Sequence, residues 1–290
     1  MTDLSTTALP VRRGFVDLPH GQVHYRSIGT PSGRPTLVMV HQSPGSSKQL
    51  EGIMAELARQ GRHIVAPDTA GNGDSAAFGT SAPSIPDLAG VALQAIDALV
   101  AGPFDLYGSH TGASIAMEIA IAHPGRVRRL VIDGMGLYSS DQQSEVLDRY
   151  AREIAPDAEA THLMKVWHFC RDQHLFWPYY NRTAAGRLPG GLPDDDYLHD
   201  FVVEVLKAMR TYHQSYRAAF RHPKRSRLPL IAVPTLVACS PSDMLRDYFA
   251  EVAALVPGAE VADLSPWGMP DQHSTDAEII GGFLNKGTAP

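Results

Sequence analysis

The sequence predicts an α/β protein: a mostly parallel, doubly wound sheet whose order is interrupted by a block of helices. Three observations carry this expectation. Short β-branched runs such as "TLVMV" (36–40) and "LIAVPTLVAC" (230–239) alternate with segments of helical period in the first and last parts of the chain. These runs are continuously apolar, as expected of strands covered by helices on both faces. From about Gly136 to Leu228 no buried strand can be read, and amphipathic helices replace the alternation. The division read from this is a core of residues 1–135 and 229–290, with a helical cap at 136–228.

Taken in order, "GFVDLPHGQVHYRSIG" holds two alternating runs around Pro19-His20-Gly21, a hairpin signal. The buried strand 36–40 ends in "HQSPGSS", and the helix "SKQLEGIMAELARQG" follows with Gly61 as its stop. The strand "HIVAPD", the loop "TAGNGDSAAFG" and the helix "IPDLAGVALQAIDALV" come next. The strand "FDLYG", the helix "GASIAMEIAIAHPG" and the strand "VRRLVIDG" complete the first block. The inserted block reads as three helices: "DQQSEVLDRYAREIA", "ATHLMKVWHFCRDQHLFW" and "YLHDFVVEVLKAMRTYHQSYRAAF". The alternation returns with "PTLVACSPSD", the helix "MLRDYFAEVAALVPG", the short strand "AEVADL" and a last helix "TDAEIIGGFLNKG".

A net charge of −6, with 25 basic and 31 acidic residues, argues against a nucleic-acid partner. The basic stretch "RHPKRSR" (221–227) reads as a solvated loop. Only Cys170 and Cys239 are present, which speaks against a disulfide framework and fits a reducing, cytoplasmic setting. The N-terminal "MTDLSTTALPVRRGF" lacks an apolar leader, and no apolar run approaches membrane-spanning length. The expected partner is a small-molecule substrate, with neither membrane nor nucleic acid, and a homodimer is left open.

The chemistry concentrates at "GSHTG" (108–112), where two glycines frame a sharp strand-to-helix turn. The residue at such a turn is strained, so positions two before and two after it must be small. Gly108 and Gly112 meet that need around His110, whereas Ser109 would be flanked by Tyr107 and Thr111. In order and spacing, "HQSPGSS", "APDTAGNGDS", "GSHTG" and the Asp243 that ends "PTLVACSPSD" resemble the α/β-hydrolase superfamily over nearly the whole chain. His273 follows, about where such proteins carry their histidine. Two departures stand out: Gln42 replaces the glycine of the His-Gly-x-Pro-Gly turn, and His110 occupies the position of the nucleophilic serine.

The resemblance implies an enzyme that hydrolyses an ester-like or carbon–carbon-linked carbonyl compound without a cofactor. His110 is expected to serve as nucleophile or base, with Asp243 and His273 as its supporting pair. The oxyanion N–H groups are expected from Ser43 and Thr111. Lyase or isomerase chemistry with His110 as general base is the first alternative, and a non-catalytic ligand-binding protein the second. A metal cluster of His41, His110, His273 and Asp243 lacks the spacing of a local motif, so no metal is expected. Asp133 is an outside alternative for the acid, and Asp68 reads as a structural carboxylate holding its glycine loop. Substrate contacts are expected from His41, Trp167, Trp177 and Tyr180, with Arg171 or Arg182 as carboxylate anchors.

Overall fold

The computed structural model describes residues 9–287. Residues 1–8, on which much of the N-terminal reading falls, lie outside the described residues. The hairpin is formed by β1 (Arg12–Leu18) and β2 (Gly21–Ile28), which pair antiparallel. The parallel strands are β3 (Leu37–Val40), β4 (Ile64–Pro67), β5 (Phe104–Ser109), β6 (Val127–Asp133), β7 (Thr235–Cys239) and β8 (Glu260–Asp263). Together they make one eight-stranded sheet of order β1-β2-β4-β3-β5-β6-β7-β8. From β3 the chain steps outward to β4, then returns to place β5 on the other side of β3. Such a reversal opens a crevice at the carboxyl ends of the strands.

Helices cover both faces, as the apolar strands require. α1 (Glu51–Arg59) packs one face together with the C-terminal helix. α2 (Ile85–Leu99) and α3 (Thr111–Ala122) pack the other. Between β6 and β7 run α4 (Ser140–Arg149), α5 (Thr161–Gln173), α6 (Asp195–Ala208), α7 (Tyr212–Arg221) and the short α8 (Lys224–Arg227). These inserted helices bury a cluster of their own, built on Tyr150, Phe169, Tyr212, Tyr216 and Phe220. α9 (Phe249–Leu255) and α10 (Gln272–Leu284) close the fold. No helix among the described residues is long and apolar enough to cross a membrane.

Three sequence expectations change. The long helix read over 197–220 is two helices, because Thr211 leaves helical geometry (φ −129°) and its hydroxyl donates to Gly71 O and Ala208 O. That break pins the inserted helices to the 69–79 loop. The helix read from Met244 instead starts as a 3₁₀ turn at Arg246, since Asp243 Oδ1 holds the N–H of Leu245 at 2.7 Å. The basic stretch 221–227 is exposed at Arg221, Pro223, Arg225 and Ser226, as a solvated segment would be, but its charges are not left free in solvent. His222 and Arg227 both bond Glu118 of α3 (2.7–2.9 Å), and Arg225 bonds Glu251 and the carbonyls of Leu137 and Tyr138. Charge here fastens the insertion to the core.

Asp68 behaves as expected. Its carboxylate accepts from His24 Nδ1–H (2.8 Å), the N–H and hydroxyl of Ser47 (2.8 and 2.5 Å) and the N–H of Asp74 (3.1 Å). Burial opposes its ionisation, yet the bonds from His24 and Ser47 and the nearby His41 hold it down at about 2. Lowered from 3.8, the group contributes roughly 2 kcal/mol at neutral pH, which is lost as pH falls toward 2. The turn after β3 and the loop after β4 are thereby tied together on one carboxylate.

Candidate active site

His110 is the residue that joins β5 to α3, with φ 51° and ψ −106°. This region is sparsely populated by residues with a side chain and costs roughly 1–3 kcal/mol. The surroundings enforce it. The His110 N–H donates to Asp133 O (2.9 Å), and its carbonyl accepts from Ala113 and Ser114. A Cβ on Gly108 would collide with the Gly112 carbonyl, and one on Gly112 with the carbonyls of Val40 and His41. The flanking glycines therefore bring α3 against both β5 and β3.

The imidazole stands at the crevice mouth with 16% of its side chain exposed. Its Nε2–H donates to Asp243 Oδ2 at 2.7 Å, because an ionised carboxylate oxygen can only accept. Asp243 Oδ1 is taken by Leu245 N–H, so both carboxylate oxygens are occupied. Gly134, at φ +65°, makes this approach feasible: a Cβ there would lie 2.7–2.9 Å from the His110 ring and Asp243 Oδ2. Burial favours the neutral imidazole, but the charge of Asp243 and its hydrogen bond raise the group above its usual 6.5. With Nε2 committed, Nδ1 carries the lone pair, and no protein group among the described residues bonds it.

A second carboxyl lies beneath the first. Asp133 ends β6 beside Ser109 and accepts from the Tyr107 hydroxyl at 2.5 Å. Burial pushes it up to about 7 despite that bond, aided by the charge of Asp243. It is no partner of the histidine ring; that place belongs to Asp243.

His273 does not join the pair. It is the second residue of α10, packed on Gly52 of α1 and close to Asp276 rather than bonded to Asp243. The physical reason is that α10 begins at Gln272, which fixes His273 in its first turn against Gly52 of α1 rather than in a loop free to reach Asp243.

The cavity above His110 measures about 850 Å³ and is lined by both the sheet ends and the inserted helices. Ser43 and Thr111 line it, and no group among the described residues accepts from either backbone N–H. Thr111 opens α3, so its N–H has no carbonyl one turn earlier to bond. The Ser43 hydroxyl bonds Ser215 of α7 at 2.9 Å.

Several expected substrate contacts fall elsewhere. His41 is fully buried outside the cavity wall: its Nδ1–H donates to Gln42 O (2.7 Å) and its Nε2 accepts from Thr69 N–H (2.9 Å). The ring shapes the turn. Burial lowers its basicity further. Trp167 lies on the outer face of α5, 37% exposed, and Tyr180 bonds Glu145 under the Arg149 guanidinium. Only Trp177 of the three lines the cavity. Arg171 and Arg182 are spent on the buried Asp172, at 2.6–2.8 Å. Sequence reasoning missed Tyr138, Tyr150, Tyr216 and Phe220, which line the wall; the i, i+4 spacing of Tyr216 and Phe220 on α7 carried a signal for those two.

A family model for the alpha/beta hydrolase fold matches residues 35–261, most of the chain. The chain belongs to the alpha/beta hydrolase fold family. A 2-hydroxymuconate semialdehyde hydrolase of Pseudomonas sp. (strain CF600) is 38% identical over 101 residues, 34% of this chain and 35% of that protein. A pyrrolizixenacetamide deacetylase of Xenorhabdus hominickii is 32% identical over 107 residues, 37% of this chain and 40% of that protein. The matched part thus spans well under half the length of these relatives. Among solved structures, a bromoperoxidase from Bacillus anthracis superposes with a TM-score of 0.75 at 17% identity, covering 94% of this chain and 100% of that one. An enol-lactonase from Burkholderia xenovorans LB400 gives 0.71 at 19% identity, covering 94% and 100%. At these identities the likeness to the solved structures concerns the fold.

Proposed function

We propose that this family member hydrolyses an ester-like or carbon–carbon-linked carbonyl in a small organic substrate without a cofactor, with His110 as its base. The observation that carries the reading is the Nε2–H bond from His110 to Asp243, which leaves the Nδ1 lone pair as the reactive one. Nδ1 takes a proton from water as its oxygen attacks the carbonyl. Asp243 stabilises the imidazolium so formed, and the unbonded N–H groups of Ser43 and Thr111 receive the developing negative oxygen. Nδ1–H then returns its proton to the leaving oxygen or carbon. Hydrolytic relatives such as the deacetylase and the semialdehyde hydrolase support this class of reaction. The inserted helices at 136–228 act as the cap, closing the cavity with Trp177 and its neighbouring tyrosines. His273, packed against α1, lines the same cavity and serves there as part of its wall.

The experiment is a steady-state assay of 4-nitrophenyl butanoate and of 2-hydroxymuconate semialdehyde across pH 5–9. Turnover is expected, with kcat/KM rising with pH through an inflection above 6.5, since the base must be neutral and Asp243 raises it. In Asp243→Asn the charge is gone and burial dominates, so the inflection moves down while the rate falls. In Asp133→Asn it moves down less than in Asp243→Asn, since Asp133 raises His110 only through its charge and Asp243 through charge and hydrogen bond together. No turnover of either compound, or a profile flat over this range, contradicts the reading.

A further inference from the structure

The cavity holds one cation that nothing acidic answers. Lys224, at the junction where the inserted helices return to the core, is 7% exposed and lines the cavity with Ala219 and Phe220. Its ammonium donates to the Ala219 carbonyl at 2.6 Å and lies 5.7 Å from the centre of the Tyr138 ring. Among the described residues no carboxylate reaches it, and two of its three N–H bonds have no acceptor. Apart from His273, which lies beside Asp276 on α10, the other basic groups lining the cavity are engaged or neutral. Lys48 pairs with Glu51 and Asp200, His110 pairs with Asp243, and burial holds His174 at about 4. A buried ammonium without an anion is costly, and proteins that keep one generally supply a partner.

We propose that the partner is the substrate, and that Lys224 binds a carboxylate on the far side of the molecule from its reacting carbonyl. Tyr138 links the two ends of such a substrate. Its ring faces Lys224, and its phenol is near enough to Asp243 for that charge to raise it. Burial, together with the charge of Arg225 beside it, lowers Lys224 to about 7, and a bound carboxylate would hold it as the ammonium. An amine held this way also discriminates. An uncharged analogue would leave two N–H bonds unmet, so neutral esters should be poor substrates beside their acid-bearing counterparts. Arg171 and Arg182, the anchors expected from sequence, are unavailable because Asp172 holds them both.

This inference deepens the hydrolase reading, and a binding measurement separates the two. Isothermal titration with 4-phenylbutanoate and with 4-phenylbutanamide requires no chemistry at His110. The acid is expected to bind at least tenfold tighter than the amide, and Lys224→Met and Lys224→Gln are each expected to erase that preference. Equal affinities in the unmodified protein, failure of the acid to bind, or a preference that survives in a folded Lys224 variant would overturn the proposal. If the acid preference holds while no carbonyl compound is turned over, the catalytic reading fails and the anion site stands.

Discussion

Replacing His110 by alanine is expected to lower kcat/KM for 4-nitrophenyl butanoate by about a thousandfold, roughly 4 kcal/mol of barrier, with little change in KM. The size follows from what is removed. The Nδ1 base is lost, and with it the imidazolium that Asp243 stabilises in the transition state, whereas Ser43 and Thr111 keep their N–H groups in the cavity wall. Restoring a serine at the elbow is not expected to recover activity. Its hydroxyl would need a histidine supported by Asp243, and His273 stands on α10 without that bond. Ser109→Ala tests the neighbouring hydroxyl. That residue ends β5 one position before the turn, so a loss below about threefold is expected. A His110→Ala enzyme that retains more than a tenth of its activity would remove the histidine from the chemistry.

Gly112→Ala is expected to destabilise the protein by about 3 kcal/mol in urea unfolding, the largest stability effect among the glycines of the site. The added methyl would meet the Val40 and His41 carbonyls, which are backbone atoms of the central strand and its turn and cannot swing aside. Relief requires α3 to back away from β3, which also withdraws Thr111 from the cavity, so activity should fall further than stability alone explains. Gly90→Ala is the control. It sits on the exposed side of α2 with nothing within 4 Å, and the same methyl there should stabilise by about 0.5–1 kcal/mol.

Much of the fold was legible because its signals are local. Continuous apolar strands, glycine stops and a block without strands gave the sheet, its two covered faces and the insertion. The elbow was legible because a strained turn demands small neighbours, a constraint that survives the exchange of serine for histidine. The pairing inside the site was not. Which histidine meets Asp243 depends on where α10 starts and on Gly134, whose φ of +65° and missing Cβ let the His110 ring approach. Lys224 was hidden for a related reason. Within "RHPKRSR" it looks like one charge among several, and only the packing shows that His222, Arg225 and Arg227 have acidic partners while no carboxylate reaches Lys224 among the described residues. Trp167 and Trp177 share a sequence neighbourhood, yet the helix turns one outward and the loop brings the other to the wall.

The tautomer of His110 is the claim on which the chemistry rests, and nitrogen-15 NMR of the imidazole reads it directly. With the histidines labelled, the His110 resonances, assigned by their absence in His110→Ala, should show a protonated Nε2 and an unprotonated Nδ1 at pH 8. They should titrate above 6.5, falling in Asp243→Asn. A ring that carries its proton on Nδ1, or whose titration is indifferent to Asp243, would contradict the account.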